Sequence, residues 1–248
     1  MRIANLTNYS YFPVQRKTLC KELSMTTFTT SPAAPLLRRL FAEAEAVNPV
    51  TSPSVADYWN GLSGADKTRL LQSRTDYVDF YARMKDVPLA VSRETGDLLY
   101  MLTRSSRATS IVEFGTSFGL STICLAAGLR DNGGGRLITS EFEPSKVDRA
   151  KANLVEAGLA DLVELREGDA LDTLSRDLPE SVDLLLLDGA KSLYSDILDL
   201  VAPRLRPGAL VVADNADFCP AYLERIRAVD SGYLSVAFAE DIDVSLRL

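Results

Sequence analysis

Hydrophobic positions along the chain change their spacing once, near residue 110. Before that point, across residues 33–108, apolar side chains recur with the periodicity of one helix face. Ser92 has the character of a helix N-cap, because Glu94 follows in the first turn and apolar residues come after it. We therefore predict a helical extension or lid over residues 33–108, preceded by a flexible arm over residues 1–32.

Within the predicted extension, residues 65–84 form one continuous helical pattern. Its apolar residues fall near one face: Leu70, Leu71, Tyr77, Val78 and Tyr81. Three residues are candidates for an apolar wall of a substrate site, with core packing as the alternative for each: Phe80, Tyr81 and Met84.

From residue 110 onward, short apolar runs alternate with helical patterns. Strands are predicted at residues 111–114, 136–140, 163–166, 182–187, 209–213, 233–237 and 244–246. Helices are predicted at residues 120–129, 144–157, 170–178, 193–205 and 220–228. Strands that alternate with helices form a parallel sheet covered on both faces, and no helix separates the last two strands. The predicted fold is α/β, a doubly wound, seven-stranded and mostly parallel sheet with an antiparallel C-terminal strand.

Composition excludes several kinds of chemistry. The chain has no histidine, so a general base must be Lys, Asp, Glu, Tyr or Cys, and any metal must be held mainly by oxygen. The formal net charge of −7 argues against nucleic-acid binding. No apolar run approaches the ~20 residues of a membrane span. The three widely spaced cysteines and the lack of a signal-peptide pattern predict a cytoplasmic protein.

The end of the first predicted strand carries a glycine-rich turn. The strand runs into Glu113-x-Gly115-x-x-x-Gly119 and then a helix. Glycines at such a turn let the backbone approach a ligand closely, although a glycine turn also serves packing alone. Position 117 is serine, so the turn departs from the dinucleotide fingerprint GxGxxG, and the case for pyrophosphate binding is weakened.

Acidic residues end the next two strands. Glu141 is suited to accept hydrogen bonds from ribose hydroxyls, whereas Glu143 better suits the alternative role of a carboxylate at a helix start. Asp169 either caps the following helix or meets an adenine amino group. All three strand ends are expected at the carboxyl edge of the sheet, where ligands bind in open α/β folds.

These motifs resemble those of the class I S-adenosylmethionine-dependent methyltransferases, and more narrowly the Rossmann-like catechol and caffeoyl-coenzyme A O-methyltransferases and their bacterial relatives. The matching segments are Val91-Ser92, EFGTSFGLST (113–122), ITSEFEP (138–144), EGDAL (167–171), LLLLDGAKSLY (184–194) and VVADNADF (211–218). The resemblance implies a catalytic domain over residues 109–248 that binds S-adenosyl-L-methionine. It implies cofactor contacts at Val91, Glu113, Gly115, Ser121, Glu141, Asp169, Ala170 and Asp188, with Ser121 reaching the methionine carboxylate.

The fourth and fifth predicted strands end in oxygen-bearing side chains, Asp188 and the pair Asp214-Asn215. Neighbouring strands lie about 4.8 Å apart, so the three side chains would converge. Two carboxylates and an amide suit a hard divalent cation, Mg²⁺ or else Ca²⁺ or Mn²⁺, and the resemblance implies the same three ligands. Alternatively, Asp188 marks a strand end that metal-free methyltransferases share, and Asp214 and Asn215 serve a cap and a turn.

Lys191 follows in the same loop as Asp188, at the position of the general base in the resembling family. Beside a cation and a sulfonium its pKa would be lowered, which favours the neutral amine, whereas the alternative is a surface lysine at a helix start. The resemblance implies metal-assisted O-methyl transfer to a small hydroxylated acceptor, catechol-like or a natural product, with Lys191, Asp188 and Asn215 as catalytic residues. A homodimer is also expected.

Two departures from the family pattern leave the acceptor open. Gly-Ala-Lys follows Asp188 where Ala-Asp-Lys is commoner, and the segment after Asn215 is shorter than in caffeoyl-coenzyme A enzymes. Three alternatives stand: a metal-independent small-molecule methyltransferase, a binding module without catalysis, and a nucleotide-dependent oxidoreductase, which the missing GxGxxG disfavours.

Overall fold

A seven-stranded β-sheet organises the chain, which a computed structural model describes at residues 25–53, 55–239 and 241–248. The strands are β1 Ser110–Phe114, β2 Arg136–Glu141, β3 Val163–Glu167, β4 Val182–Leu187, β5 Leu205–Ala213, β6 Tyr233–Phe238 and β7 Ile242–Arg247. Their order across the sheet is β3-β2-β1-β4-β5-β7-β6. The first five are parallel and β7 is antiparallel to both neighbours, which confirms the predicted sheet.

Helices cover both faces of the sheet. They are α1 Ala33–Glu45, α2 Ala56–Gly61, α3 Gly64–Gln72, α4 Tyr77–Arg83, α5 Arg93–Ser105, α6 Leu120–Asp131, α7 Pro144–Glu156, α8 Ala170–Thr173, α9 Tyr194–Val201 and α10 Pro220–Ile226. Neighbouring positions of β4 alternate between two hydrophobic clusters, since Leu184 packs with α5 to α7 and Leu185 with α8 to α10. Both faces of β4 are therefore buried, as its nearly continuous apolar sequence predicts.

The N-terminal helices divide into two groups. α1 and α5 contribute to the first of these clusters, and the predicted N-cap is confirmed because the Ser92 hydroxyl accepts from the Thr95 N–H at 3.1 Å. α2, α3 and α4 enclose a small cluster of their own, the lid cluster: Val55, Leu70, Phe80, Met84 and Val87. Helices α2 to α4 thus hold together through contacts that the sheet does not supply.

The continuous helix suggested by residues 65–84 is wrong, because the chain turns between α3 and α4. The Ser73 hydroxyl accepts from the backbone N–H of Asp76 at 2.9 Å, and Ser73 itself is extended. Val78 consequently faces solvent. A serine that binds backbone N–H groups competes with the helix for them.

The helix predicted at residues 170–178 also stops early, at Thr173. The Arg166 guanidinium donates to the carbonyl oxygens of Thr173 at 2.6 Å and of Arg176 at 2.7 Å. Asp177 then adopts a left-handed conformation with φ of 53°. Because Arg166 satisfies these carbonyl groups, the chain can leave the helix without burying unpaired acceptors.

The end of the predicted N-terminal arm packs on the domain. The Thr27 N–H donates to the Asp131 carboxylate at 3.0 Å, and the Phe28 ring stacks on Tyr100 with 4.4 Å between centroids. The rest of the arm, residues 1–24, lies outside the described residues. In the part of the chain that the structure describes, no helix is long and apolar enough to cross a membrane.

Candidate active site

Two adjoining cavities open at the carboxyl edge of the sheet. The β2-side cavity lies at the ends of β1, β2 and β3 and encloses about 70 Å³. The β5-side cavity lies at the ends of β4 and β5, below α1, and encloses about 430 Å³. Residues that line both are Tyr81, Leu89, Asp188 and Gly189. The predicted site residues are divided between these cavities and the core beneath them.

The turn after β1 passes so close to the end of β4 that glycine is required. Gly115 has φ of +102°, and a Cβ there would lie 2.5 Å from the carbonyl oxygen of Asp188. A Cβ at Gly189 would lie 2.4 Å from the Phe114 ring. Both glycines therefore let the two strand ends meet, and both line the β2-side cavity.

The Glu141 carboxylate is fixed at the wall of the β2-side cavity. One oxygen accepts from the Ser117 N–H at 2.8 Å and the other from the Glu143 N–H at 3.0 Å. Burial raises the pKa of Glu141, although these backbone hydrogen bonds oppose the rise. Glu143 caps α7 by accepting from the Ser145 N–H, as its position in the sequence suggested. Glu141 thus keeps one orientation, with lone pairs left for a ligand.

Asp169 and Ala170 line the same cavity at the end of β3. The Asp169 carboxylate caps α8 by accepting from the Leu171 N–H at 2.8 Å. Tyr77 of α4 lies against this carboxylate, and burial followed by the charge of Asp169 raises the pKa of the phenol. The sequence did not single out Tyr77 for this place, because its apolar spacing assigned it to helix packing.

Three predicted cofactor residues lie elsewhere. Glu113 is fully buried, and its two oxygens accept from the hydroxyls of Ser121 and Thr122, each at 2.6 Å. Burial raises the pKa of Glu113 against these hydrogen bonds. In this structure Glu113 and Ser121 hold β1 to the start of α6, and Val91 lines the β5-side cavity.

Lys191 lies at the floor of the β5-side cavity, only 9% exposed. Its ammonium donates to the Tyr194 hydroxyl at 2.7 Å, to the Asp214 carbonyl oxygen at 3.2 Å and to Asp188 Oδ1 at 3.4 Å. The alternative of a surface lysine is wrong, because these contacts bury it. Tyr194 is itself buried and donates to the same Asp214 carbonyl at 2.7 Å.

The charged groups at this floor shift one another's pKa values: Asp188, Lys191 and Asp214. Burial raises the pKa of Asp214, and the neighbouring Asp188 raises it further. Burial also raises the pKa of Asp188, although Lys191 opposes the rise. Burial lowers the pKa of Lys191, but Asp188, Tyr81 and Asp214 outweigh it and the net shift is upward. In the protein alone, Lys191 is therefore held as an ammonium.

Asn215 adopts a left-handed conformation with φ of 48°, which turns the chain at the end of β5. Asp241, which the sequence did not single out, lies beside it in the turn between β6 and β7. The Asn215 amide donates to Asp241 Oδ2 at 3.4 Å, and the Ala216 N–H donates to the Asp241 carbonyl at 2.7 Å. Asp241 reaches this place because β7 pairs with β5. No local sequence motif therefore indicates its position.

The three predicted metal ligands line one cavity: Asp188, Asp214 and Asn215. Among residues 25–53, 55–239 and 241–248 there is no group of three or more His, Cys, Asp or Glu side chains that could hold a metal ion. The predicted set has only two carboxylates, and its third member is an amide. Its oxygen chemistry suits a hard cation, and the raised pKa values of both carboxyl groups reflect burial without sufficient counter-charge.

The segment that forms this edge of the sheet matches a known protein family. Residues 112–216 match the family described as Methyltransferase domain. The chain is 34% identical over 165 residues to a catechol O-methyltransferase of Niastella koreensis, a match that covers 65% of this chain and 72% of the relative. It is 37% identical over 127 residues to a catechol O-methyltransferase of Mycobacterium tuberculosis, which covers 51% of this chain and 57% of that relative.

A solved structure shares the fold. The O-methyltransferase TomG of Streptomyces achromogenes, involved in tomaymycin synthesis and solved in complex with S-adenosylmethionine, superposes with a TM-score of 0.56. The two chains are 27% identical, and the superposition covers 83% of this chain and 98% of the other.

Proposed function

We propose, from the premise that this chain belongs to the S-adenosylmethionine-dependent O-methyltransferases, that it methylates a hydroxyl of a small acceptor with the assistance of a divalent cation and with Lys191 as the base. The observation that carries this proposal is the convergence of Asp188, Lys191 and Asp214 where the two cavities meet. A methyl donor in one cavity and an acceptor in the other would face each other at this point.

The β2-side cavity supports the binding of the donor, S-adenosyl-L-methionine. Glu141 presents an oriented carboxylate for the ribose, and Asp169 and Ala170 lie at the far end of the same wall. Gly115 lets the backbone form the side of the cavity. When bound, the donor supplies a methyl group on a sulfonium centre, and the carboxylates that line the cavity favour that positive charge.

The β5-side cavity supports the binding of a divalent cation by Asp188, Asp214 and Asn215. Such a cation, Mg²⁺ or else Ca²⁺ or Mn²⁺, supplies Lewis acidity that lowers the pKa of a substrate hydroxyl and orients it. The two buried carboxylates would then no longer repel each other. Asn215, fixed by its left-handed backbone and its contact with Asp241, would be a neutral third ligand.

Lys191 must lose its proton to act as a base. Asp188 and Asp214 now hold it as an ammonium by raising its pKa. Neutralisation of these two carboxylates removes that influence, and burial then favours the neutral amine. Lys191 could then accept the proton of the acceptor hydroxyl, and the resulting oxyanion would take the methyl group by direct displacement. The electrons of the broken carbon–sulfur bond would stay on sulfur, which leaves the neutral thioether S-adenosylhomocysteine.

The acceptor is proposed to be catechol-like or a hydroxylated natural product. The 430 Å³ of the β5-side cavity falls within the roughly 300–1,000 Å³ of small-molecule sites. Its walls combine apolar residues such as Phe41 and Leu89 with the polar floor at Lys191.

We further propose that the protein is a cytoplasmic homodimer.

A methylation assay over a panel of vicinal dihydroxy aromatics tests the proposal. We expect turnover with Mg²⁺ and its loss with a chelator, restored by excess metal. Turnover that survives chelation would instead favour a metal-independent methyltransferase. Binding of S-adenosylhomocysteine without turnover of any acceptor would favour the silent binding module, and absence of binding at millimolar ligand would overturn the cofactor assignment.

A further inference from the structure

Lys146 lines the β2-side cavity and makes no hydrogen bond and no ion pair with any described residue. The residue is only 3% exposed. Its ammonium lies over the Phe118 ring, 5.7 Å from the ring centroid, which is a cation–π contact. This contact leaves the N–H groups of Lys146 without a hydrogen-bond acceptor at the wall of the cavity.

The position of Lys146 on α7 gives it no structural reason to be a cation. It occupies the first turn of α7, where the helix dipole disfavours positive charge. The neighbouring Ser145 and Asp148 of the same helix are exposed. An apolar residue would fill this inward-facing position at a lower cost than a lysine.

The cavity surrounds Lys146 with negative charge. Four carboxylates line it: Glu141, Glu143, Asp169 and Asp188. Lys146 is the one cationic side chain among the described residues that line the same cavity. Lys146 and Glu141 line this cavity together. Burial lowers the pKa of Lys146, and the charge of Glu141 opposes that shift.

Lys146 is not needed to hold Glu141 in place. Both Glu141 oxygens already accept backbone N–H groups, from Ser117 and Glu143. The N–H groups of Lys146 and the remaining lone pairs of Glu141 are therefore both available to a ligand in the same cavity. One residue offers a hydrogen-bond donor and the other an acceptor.

We propose that Lys146 is a cofactor-binding residue, whose ammonium donates a hydrogen bond to the oxygen of one ribose hydroxyl while Glu141 accepts a hydrogen bond from the same hydroxyl. A hydroxyl both donates and accepts, so Lys146 and Glu141 together satisfy both of its capacities. This inference rests on the proposed function, since Glu141 is taken as the ribose ligand. It makes the site selective for a ribonucleoside over a deoxyribonucleoside.

The test measures the affinity of S-adenosylhomocysteine and of its 2′-deoxy and 3′-deoxy analogues by calorimetry. Lys146→Met keeps the length of the side chain and removes its donors. Lys151→Met, on the exposed face of the same helix, is the matched control. We expect Lys146→Met to weaken S-adenosylhomocysteine roughly tenfold or more. The analogue that lacks the contacted hydroxyl should weaken by less than about threefold, and Lys151→Met should change nothing.

Three outcomes separate the possibilities. Equal weakening of all three ligands by Lys146→Met would mean that the lysine only supports the fold of the cavity, which overturns the inference. Unchanged affinity for S-adenosylhomocysteine would overturn it as well. If wild type fails to bind S-adenosylhomocysteine, the proposed function itself fails. Should Lys146→Met not fold, Lys146→Arg keeps the donors and should retain the preference of wild type for the ribonucleoside over both deoxy analogues, and loss of that preference would count against the inference.

Discussion

Lys191 carries both a positive charge and a removable proton, and most substitutions remove the two together. Lys191→Arg retains the charge that balances Asp188 but cannot become neutral at physiological pH. We therefore expect both Lys191→Arg and Lys191→Met to lower kcat by about 10²–10⁴-fold, the usual contribution of a general base. Affinity for S-adenosylhomocysteine should remain within a few-fold of wild type, as measured by calorimetry.

The exposed Lys151→Met serves again as the control for general loss of a lysine. If Lys191→Arg retains wild-type turnover, Lys191 supplies charge only, and the base must be sought elsewhere.

Asp183 is a buried carboxylate at the opposite edge of the sheet. It accepts from the N–H groups of Thr109 at 2.7 Å and Ser110 at 3.0 Å, and from Arg206 at 2.5 Å. Burial raises the pKa of Asp183, but these hydrogen bonds outweigh it and the net shift is downward. Asp183→Asn should lower the free energy of unfolding by about 1–3 kcal/mol at pH 7 without changing KM.

The pH dependence of this loss has a definite sign. A carboxyl whose pKa is lowered on folding stabilises the protein above its unfolded pKa of about 3.9, and this is lost as pH falls through the folded value. The difference in stability between wild type and Asp183→Asn, measured by urea denaturation at pH 7, 5 and 3, should therefore be smaller at pH 3 than at pH 7. The exposed Asp148→Asn is the control, and a difference that is as large at pH 3 as at pH 7 would contradict the assignment.

Single residues show how far the sequence located the lining of the two cavities. Glu141, Asp169 and Lys191 were chosen from strand-end positions and motif resemblance, and all three line the cavities. Lys146 and Asp241 also line them, and the sequence did not point to either. An inward-facing lysine looks like any exposed lysine in a helical pattern, and Asp241 reaches the site only through the pairing of distant strands.

At the scale of elements, α2 to α4 form one unit through the lid cluster, and α4 lines the β2-side cavity with Tyr77 and both cavities with Tyr81. The β2-side cavity encloses about 70 Å³, below the roughly 300 Å³ of a typical ligand site, so we expect this unit to shift when a ligand enters. Phe80 is its central side chain, with ring centroids 5.4–6.4 Å from those of Tyr58, Trp59 and Tyr81.

Phe80→Ala should loosen this unit while leaving the sheet intact. We expect faster hydrogen exchange confined to residues 55–87 and a higher KM for both substrates, because the lid cluster loses about 3–5 kcal/mol of packing. The exposed Val78→Ala on the same helix is the matched control. Uniformly faster exchange across β1 and β4 would show that the lid cluster belongs to the main core.

Element types were predictable, whereas several ends were not. Hydrophobic period distinguished the strands from the α-helices after residue 110, most clearly at β4, which is buried on both faces and apolar at every position but Asp183. The ends depended on side chains that bind backbone groups, as Ser73 does between α3 and α4 and Arg166 does after α8. Such contacts leave no periodic signal.

At the scale of the whole molecule, β6 is an open edge of the sheet with an apolar face. Leu234, Val236 and Phe238 are exposed along it, Val236 at 64%. An exposed apolar edge strand can pair with an edge strand of another molecule. In a two-fold symmetric dimer, β6 of one copy would pair antiparallel with β6 of the other. This edge supports the proposed homodimer.

Sedimentation of wild type at micromolar concentration should give a dimer of the 27.1 kDa chain. Val236→Lys should give a monomer, because it places a charge in the centre of the buried edge. Val229→Lys, at a fully exposed valine outside β6, should remain dimeric. A monomeric wild type would remove the homodimer, and a dimeric Val236→Lys would move its interface elsewhere.

The close approach of Gly189 to Phe114 limits the order in which these two positions can change during evolution. A methyl group at position 189 would lie 2.4 Å from the Phe114 ring, so position 189 cannot change to alanine while Phe114 is retained. A lineage that acquires alanine at position 189 must first trade Phe114 for a smaller side chain. The two positions should therefore be inherited together, and the single substitution Gly189→Ala should be tolerated only in a Phe114→Leu background.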